Sequence, residues 1–350
     1  LYISNESSFD TMYSKKDRIH RVLVETKGDF GFDVWATAPP ITASALREEV
    51  TNVETAARVF KHDFGGTASV RVNDENYTEN LFYWVDKEML SMFDVELLEK
   101  NGLNPLERPN TVILSQTAAA LYFKGENPMG KTIKVDNNME LEVTGIYADF
   151  PTNSSIDAQV LASSNGYWFY DRDTWSNSSF ETYALLKDNV TRDATVKQMG
   201  IMLDANVEKE NQWYKFSLQP LEEIHLYSST YGNSYVSRIG DIDDVRNLTY
   251  LAVLILLIAC MNYMNLTTAR SQKRSKEVGM SKTLGATSQS LVIRFYIETG
   301  LITAISIVLG FVLAVLVLPS FNAITNQSLE IDVLFQSSFL MAIVGIWLVT

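Results

Sequence analysis

The sequence predicts an α+β domain of two lobes outside the membrane, followed by an all-α bundle inside it. Three observations carry this. First, the 350 residues hold a net charge of −13 that is unevenly spread: residues 1–247 have 23 Lys/Arg and 38 Asp/Glu, whereas residues 248–350 have 6 and 4. Second, three long uncharged runs follow the break at Asn247. Third, short segments before it alternate between period-two and helical patterns, the mark of strands mixed with helices. The acidic balance argues against a nucleic-acid partner. A single cysteine, Cys260, excludes a disulfide framework and any Cys-based zinc site. The chain opens on Leu1 and stops at Thr350 within an apolar run, so both ends look cut.

In the outer domain, RIHRVLVE reads as a strand, PPITASALREEV as a helix opened by prolines, and ETAARVFK as a strand. TVILS then QTAAALYFKG reads as strand and helix, and KTIKV and MELEVTGIYADF as two strands joined by an Asp-Asn-Asn turn. DAQVLASS and ETYALLK are strands, TRDATVKQMGIMLDANVEK a helix and WYKFSLQPL a last strand. The aromatic stretch GYWFYDRDTWSNSSF reads as a surface excursion whose rings pack one loop in preference to gripping a ligand.

In the membrane part, Asn247–Ala269 is 23 uncharged residues, long enough at 1.5 Å per residue for the roughly 30 Å of hydrocarbon. Thr299–Leu318 gives a second run of 20, ended by Pro319, and Val333–Thr350 supplies 18 residues of a third. The spans are therefore expected at about 247–269, 296–318 and 333–350, with residues 1–246 as the outer domain. The connection 270–294 carries Arg270, Lys273, Arg274, Lys276, Lys282 and Arg294 against the lone acid Glu277, so it is expected in the cytoplasm. The connection Pro319–Asp332 has no Lys or Arg, as expected outside, and a further span is expected before Leu1.

Catalytic chemistry is thin. His20, His62 and His225 lack metal-ligand spacing, and no G-x-S-x-G elbow occurs, so neither an enzyme nor a bound cofactor or metal is expected. GENPMGKT, Gly125–Thr132, satisfies the phosphate-loop pattern in full, but its context is reversed: an Ala-rich helix precedes it and a β-branched strand follows. It reads as a helix-to-strand turn.

The stretch Ala259–Gly300 is the most informative. Within it, Glu277–Ala286 matches E-[IV]-G-[IM]-x-[KR]-x-[LIM]-G-A, and this resembles the FtsX-like permeases of MacB-type ABC transporters. SFDTMYSKKDRIHRV, NPMGKT and QPLEEIHLYS extend the resemblance over nearly the whole chain, closest to the stand-alone permease subunits of Bacteroidetes-type bacteria. Ser281 departs from it, since relatives often carry Arg or Lys there. The resemblance implies a periplasmic core domain at residues 1–246, an inner-membrane location, and a cytoplasmic ABC ATPase that hydrolyses ATP in a separate subunit. It further implies a dimer or pseudo-dimer of permease units, and export or envelope mechanotransmission as the role.

The residues themselves support a coupling helix. Met280 and Leu284 stand at i and i+4 with Val278 beside them, an apolar ridge suited to a partner's groove. Gly279 and Gly285 allow close approach, and Gly285 can end the helix. Glu277 and Ala286 bound the segment. The six basic residues could instead hold the helix on anionic membrane lipid. Arg294 and Glu298, at i and i+4, are expected to pair at the membrane boundary. The rival reading of the whole chain is a membrane-anchored extracytoplasmic sensor that signals inward.

Overall fold

The computed structural model describes residues 2–26, 33–167, 174–325, 341 and 344–345. It divides into two compact units: Ser8–Ile242 is one, and Leu1–Ser7 together with Asp243–Thr350 is the other. The charge break at Asn247 thus falls a few residues inside the second unit.

The first unit is built on one mixed sheet. Its strands are β1 (Ile19–Thr26), β2 (Val34–Trp35), β3 (Val53–Lys61), β4 (Ala68–Val72), β5 (Glu75–Glu79), β6 (Phe82–Val85), β7 (Leu97–Lys100), β8 (Thr111–Ser115), β9 (Thr132–Val135), β10 (Met139–Tyr147), β11 (Val160–Ser163), β12 (Glu181–Leu186) and β13 (Tyr214–Pro220). The order across the sheet is β13-β1-β12-β3-β6-β11-β8-β10-β9-β4-β5, with β2 on β1 and β7 on β10. Most pairs are antiparallel, but β8 runs parallel to β10 and β6 parallel to β11. The residues of β8, β11 and β12 are buried throughout, so both faces of the central sheet are covered.

Two apolar cores explain the two-lobed reading. One lies about β6, β8, β10 and β11, with Trp84, Ile113 and Tyr147 buried in it. The other gathers Val22, Leu46, Met202 and Phe216, where the helices Thr42–Glu49 and Arg192–Asn206 cover β1, β12 and β13. Short-range signals fix the helix starts. Ser115 Oγ accepts from Ala118 N at 3.1 Å to cap Gln116–Phe123, and Thr191 Oγ1 accepts from Ala194 N at 3.3 Å to cap Arg192–Asn206.

The phosphate-loop look-alike is the turn its context predicts. Helix Gln116–Phe123 ends on the left-handed Lys124 (φ 51°), Gly125 and Gly130 have φ of 88° and 74°, and β9 begins at Thr132. A strand and not a helix N-terminus follows the glycines, and Lys131 Nζ is held by Glu126 at 2.6 Å. Of the aromatic excursion, residues 168–173 lie outside the described part. Tyr167 stacks on Trp84 at 4.1 Å, and Trp175 packs against the second core.

The second unit is dominated by two long helices, Ile242–Thr283 of 42 residues and Ser288–Thr325 of 38. Ile242–Arg270 and Ser288–Asn322 are long and apolar enough to cross a membrane. Two expectations change. The first expected span and the basic segment after it form one uninterrupted helix as far as Thr283. Pro319 also lies inside the second helix, which runs on to Thr325; a proline removes one backbone donor, a loss that helices in membranes accommodate. The third expected span, 333–350, falls almost wholly outside the described residues.

Candidate functional site

The turn between the long helices is made by its sequence. Gly285 takes φ 93°, Gly285 N–H donates to Lys282 O at 3.1 Å, and Ala286 N–H donates to Ser281 O at 3.0 Å. That pair of bonds is a Schellman closure, which satisfies carbonyls the helix end would leave bare. Thr287 then caps the next helix, its Oγ1 accepting from Ser290 N at 3.3 Å. Four residues, Leu284–Thr287, therefore reverse the chain.

The predicted coupling residues all lie at this tip. Met280 is 62% exposed and Leu284 84%, the ridge expected from their spacing. Glu277, Gly279 and Gly285 are exposed, whereas Val278 and Ala286 are half-buried. A Cβ at Gly279 or Gly285 would meet no atom within 4 Å, so both leave room for an approaching surface.

Glu298 takes a partner other than the one its spacing suggested. Its Oε1 accepts from Arg274 Nη2 at 2.7 Å, a pair that joins the two helices where Arg294 would have joined one helix to itself. The Arg274 guanidinium also lies 5.0 Å over the Phe295 ring. The basic run contained Arg274, but a pairing rule within one helix cannot reach a residue on its neighbour.

In the outer domain, the segment that leads into the first long helix is fastened to the sheet by a buried charge network. Arg21 on β1 and Glu181 on β12 are fully buried and 3.3 Å apart. Arg21 Nη2 donates to Gln219 Oε1 at 2.8 Å and to Ser228 Oγ at 2.6 Å, while Glu181 Oε1 accepts from Tyr235 N at 2.7 Å. Ser228 and Tyr235 thereby anchor the segment that ends at Ile242. Both chain connections of the domain also meet one loop. Arg238 Nη2 pairs with Asp157 at 3.0 Å, and Ser8 O and Oγ accept from Asn153 Nδ2 at 3.1 and 3.0 Å. Asp10 is buried there too, accepting from Ser155 N at 2.8 Å through Oδ1 while Oδ2 has no partner among the described residues. Burial raises its pKa against the opposing pull of the Ser155 bonds and of His225.

Each histidine has a packing role. His62 Nδ1 accepts from Trp84 Nε1 at 3.0 Å, which leaves its Nε2 to donate to Asp136 at 2.6 Å. His225 stacks on Phe9 at 3.4 Å and donates from Nδ1 to the Arg238 carbonyl at 2.8 Å. His20 donates from Nδ1 to the Arg18 carbonyl at 3.1 Å, and burial lowers its pKa. Among the described residues no group of three or more His, Cys, Asp or Glu could hold a metal ion.

Comparison with known proteins agrees with this arrangement. A family model for the MacB-like periplasmic core domain matches residues 2–200, and one for the FtsX-like permease C-terminal region matches residues 250–350. The ABC transporter permease YvrN of Bacillus subtilis (strain 168) is 21% identical over 286 residues, which are 79% of this chain and 66% of YvrN. The macrolide export ATP-binding/permease protein MacB of Aggregatibacter actinomycetemcomitans is 24% identical over 260 residues, 69% of this chain and 36% of that protein. The chain thus spans just under two thirds of the first relative and little more than a third of the second. A crystallised domain of a candidate permease protein from Porphyromonas gingivalis shares the fold with a TM-score of 0.52 at 22% identity, over 59% of this chain and 92% of that domain. The chain belongs to the MacB/FtsX family of ABC transporter permeases, inner-membrane proteins that carry a mixed α/β domain in the periplasm.

Proposed function

We propose that the tip at Glu277–Ala286 docks on a separate cytoplasmic ABC ATPase, and that the permease turns ATP hydrolysis there into movement of its periplasmic domain. The observation that carries this is the unbroken helix Ile242–Thr283, whose 42 residues lead from the periplasmic domain to an exposed apolar ridge. At 1.5 Å per residue it is about 60 Å long, and an uninterrupted hydrogen-bond ladder lets it move as a body. Met280 and Leu284 supply the anchors for a groove, and the bare faces of Gly279 and Gly285 allow the partner's backbone close.

A displacement at Met280 would reach Ile242, and from there the segment anchored through Ser228 and Tyr235 to the Arg21–Glu181 network. The pull would then fall on β1, β12 and β13 together. In this reading two permease units work side by side, substrate is met in the periplasm, and the spans transmit force without forming a channel for it. Substitution of Leu284 by Glu should abolish co-purification of the ATPase from mild detergent while the periplasmic domain keeps its unfolding transition. If the ATPase still co-purifies in full with both Leu284→Glu and Met280→Glu, the ridge is a lipid-facing surface and the docking reading fails.

A further inference from the structure

A groove between the two long helices has the chemistry of a phosphate site at the membrane boundary. Its volume is about 110 Å³, and its walls include Tyr263, Thr267, Arg270 and Arg274 from the first helix and Thr299 and Thr303 from the second. Arg270 and Arg274 are one turn apart, so their side chains project over the same face. They are not equivalent. Arg274 is committed to Glu298 at 2.7 Å, whereas among the described residues Arg270 is in no ion pair. Two guanidinium groups against one carboxylate leave the groove with one uncompensated positive charge.

The hydroxyls divide in the same way. Thr267 donates to the Tyr263 carbonyl at 2.8 Å and Thr303 to the Thr299 carbonyl at 2.9 Å, so their protons are spent within the helices. The planar fork of Arg270 remains as the strong donor, and a tetrahedral anion with two adjacent oxygens is the acceptor it fits best. Arg270 also directly follows the 23-residue uncharged run, which sets it at head-group depth on the cytoplasmic side. Ile302 of the second helix adds an apolar side chain to the lining.

We infer that this groove binds the phosphodiester of an anionic phospholipid from the inner leaflet, with Arg270 as the primary contact. The single negative charge of a phosphodiester matches the single spare positive charge. Ile302 in the wall offers an acyl chain an apolar contact and offers free phosphate nothing. Basic pockets between membrane helices on the cytoplasmic side are recognised lipid head-group sites on general grounds. The inference rests on the membrane orientation of the chain and is independent of whether the tip docks on an ATPase.

The test is native mass spectrometry of the full chain in detergent, titrated with phosphatidylglycerol. Arg270→Gln should weaken phospholipid retention about fivefold, the value of one basic residue near an anionic head group. Lys282→Gln removes the same charge at the hairpin tip and should leave retention unchanged. Equal losses in the two variants would show diffuse charge attraction and overturn the site, as would no loss in either. Inorganic phosphate supplies the second arm: if it competes phosphatidylglycerol away in an Arg270-dependent manner, free phosphate is the ligand and the lipid assignment is wrong. ATPase co-purification measured in parallel separates this from the docking reading, since Arg270→Gln should leave it intact.

Discussion

The periplasmic domain and the membrane helices handle apolar side chains in opposite ways. In the domain, Ile113, Leu114 and Tyr147 have no exposed surface at all; in the long helices, Leu256 and Leu313 are 64% and 61% exposed. The residues obey one physics in two solvents. Water drives the domain's apolar groups inward, while lipid leaves the helices no reason to hide theirs. Charge shows the converse. The domain can bury Arg21 and Glu181 because each answers the other, whereas the helices hold Arg274 and Glu298 at the end of the apolar run. Past that run Met280 and Leu284 are exposed as well, and in the docking reading proposed above a partner protein would cover them.

The sharpest way to break the comparison is to strip one partner from the buried pair. Glu181→Ala would leave the buried Arg21 without a counter-charge, held by the neutral Gln219 and Ser228, and would orphan Tyr235 N. The cost should be about 3–5 kcal/mol of domain stability, read as a shift in the denaturant midpoint followed by tryptophan fluorescence. Combining Glu181→Leu with Arg21→Met should recover much of that loss, since no charge is then stranded. If Glu181→Ala shifts the midpoint by less than about 1 kcal/mol, the network does not anchor the segment leading to Ile242.

At the tip the expected loss is of association and not of folding. Met280→Glu puts a carboxylate where the apolar groove of an ATPase should close, at about 2–3 kcal/mol of binding energy. Because Met280 is 62% exposed, the same substitution should leave the unfolding midpoint of the protein within experimental error. A fall in stability comparable to that of Glu181→Ala would mean that Met280 packs within the permease, and the ridge would not be a docking surface.

Which features the sequence disclosed follows from the range of the forces behind them. TVILS, MELEVTGIY and ETYALL are strands because alternation and β-branching act locally, and Ser115 and Thr191 announce their helices one turn ahead. The hairpin of β4 and β5 leaves only a weak mark in the sequence: Asn73 takes φ 54° at its turn, but Asn-Asp before so polar a second strand is a faint signal. The parallel pairs β8–β10 and β6–β11 depend on partners far apart in the chain, which no local pattern fixes. At the tip, the ridge and the glycine that ends the helix were legible from spacing. The partner of Glu298 was not, because Arg274 approaches from the neighbouring helix.

Two left-handed glycines sharpen the contrast at lower energy. Gly130 in the domain and Gly285 at the tip have φ of 74° and 93°, and a Cβ at either would meet nothing within 4 Å. Alanine at each should therefore cost about 1 kcal/mol of local backbone strain and no steric clash. The consequences differ by place. Gly130→Ala should lower the thermal midpoint of the domain and leave ATPase association intact. Gly285→Ala should loosen the Schellman closure and weaken that association with no change in the domain midpoint. Matching effects from the two would deny the tip any separate role.

The smallest effect expected is a pH slope confined to the domain. Asp10 is buried with Oδ2 unpartnered among the described residues, and burial raises its folded pKa above the ordinary carboxylate value despite the opposing Ser155 bonds and His225. A carboxyl group raised on folding binds its proton more tightly in the native state. Its effect on stability is thus absent below the unfolded value near about pH 4, and stability falls as pH climbs from there through the raised folded value. Asp10→Asn keeps the shape, tolerates the left-handed backbone at φ 58°, and cannot ionise. Denaturant midpoints measured at a series of pH values should show wild type losing stability relative to Asp10→Asn as pH rises above about 4. A difference that is flat with pH would mean that Asp10 titrates alike in both states, and that its burial is relieved by solvent reaching Oδ2.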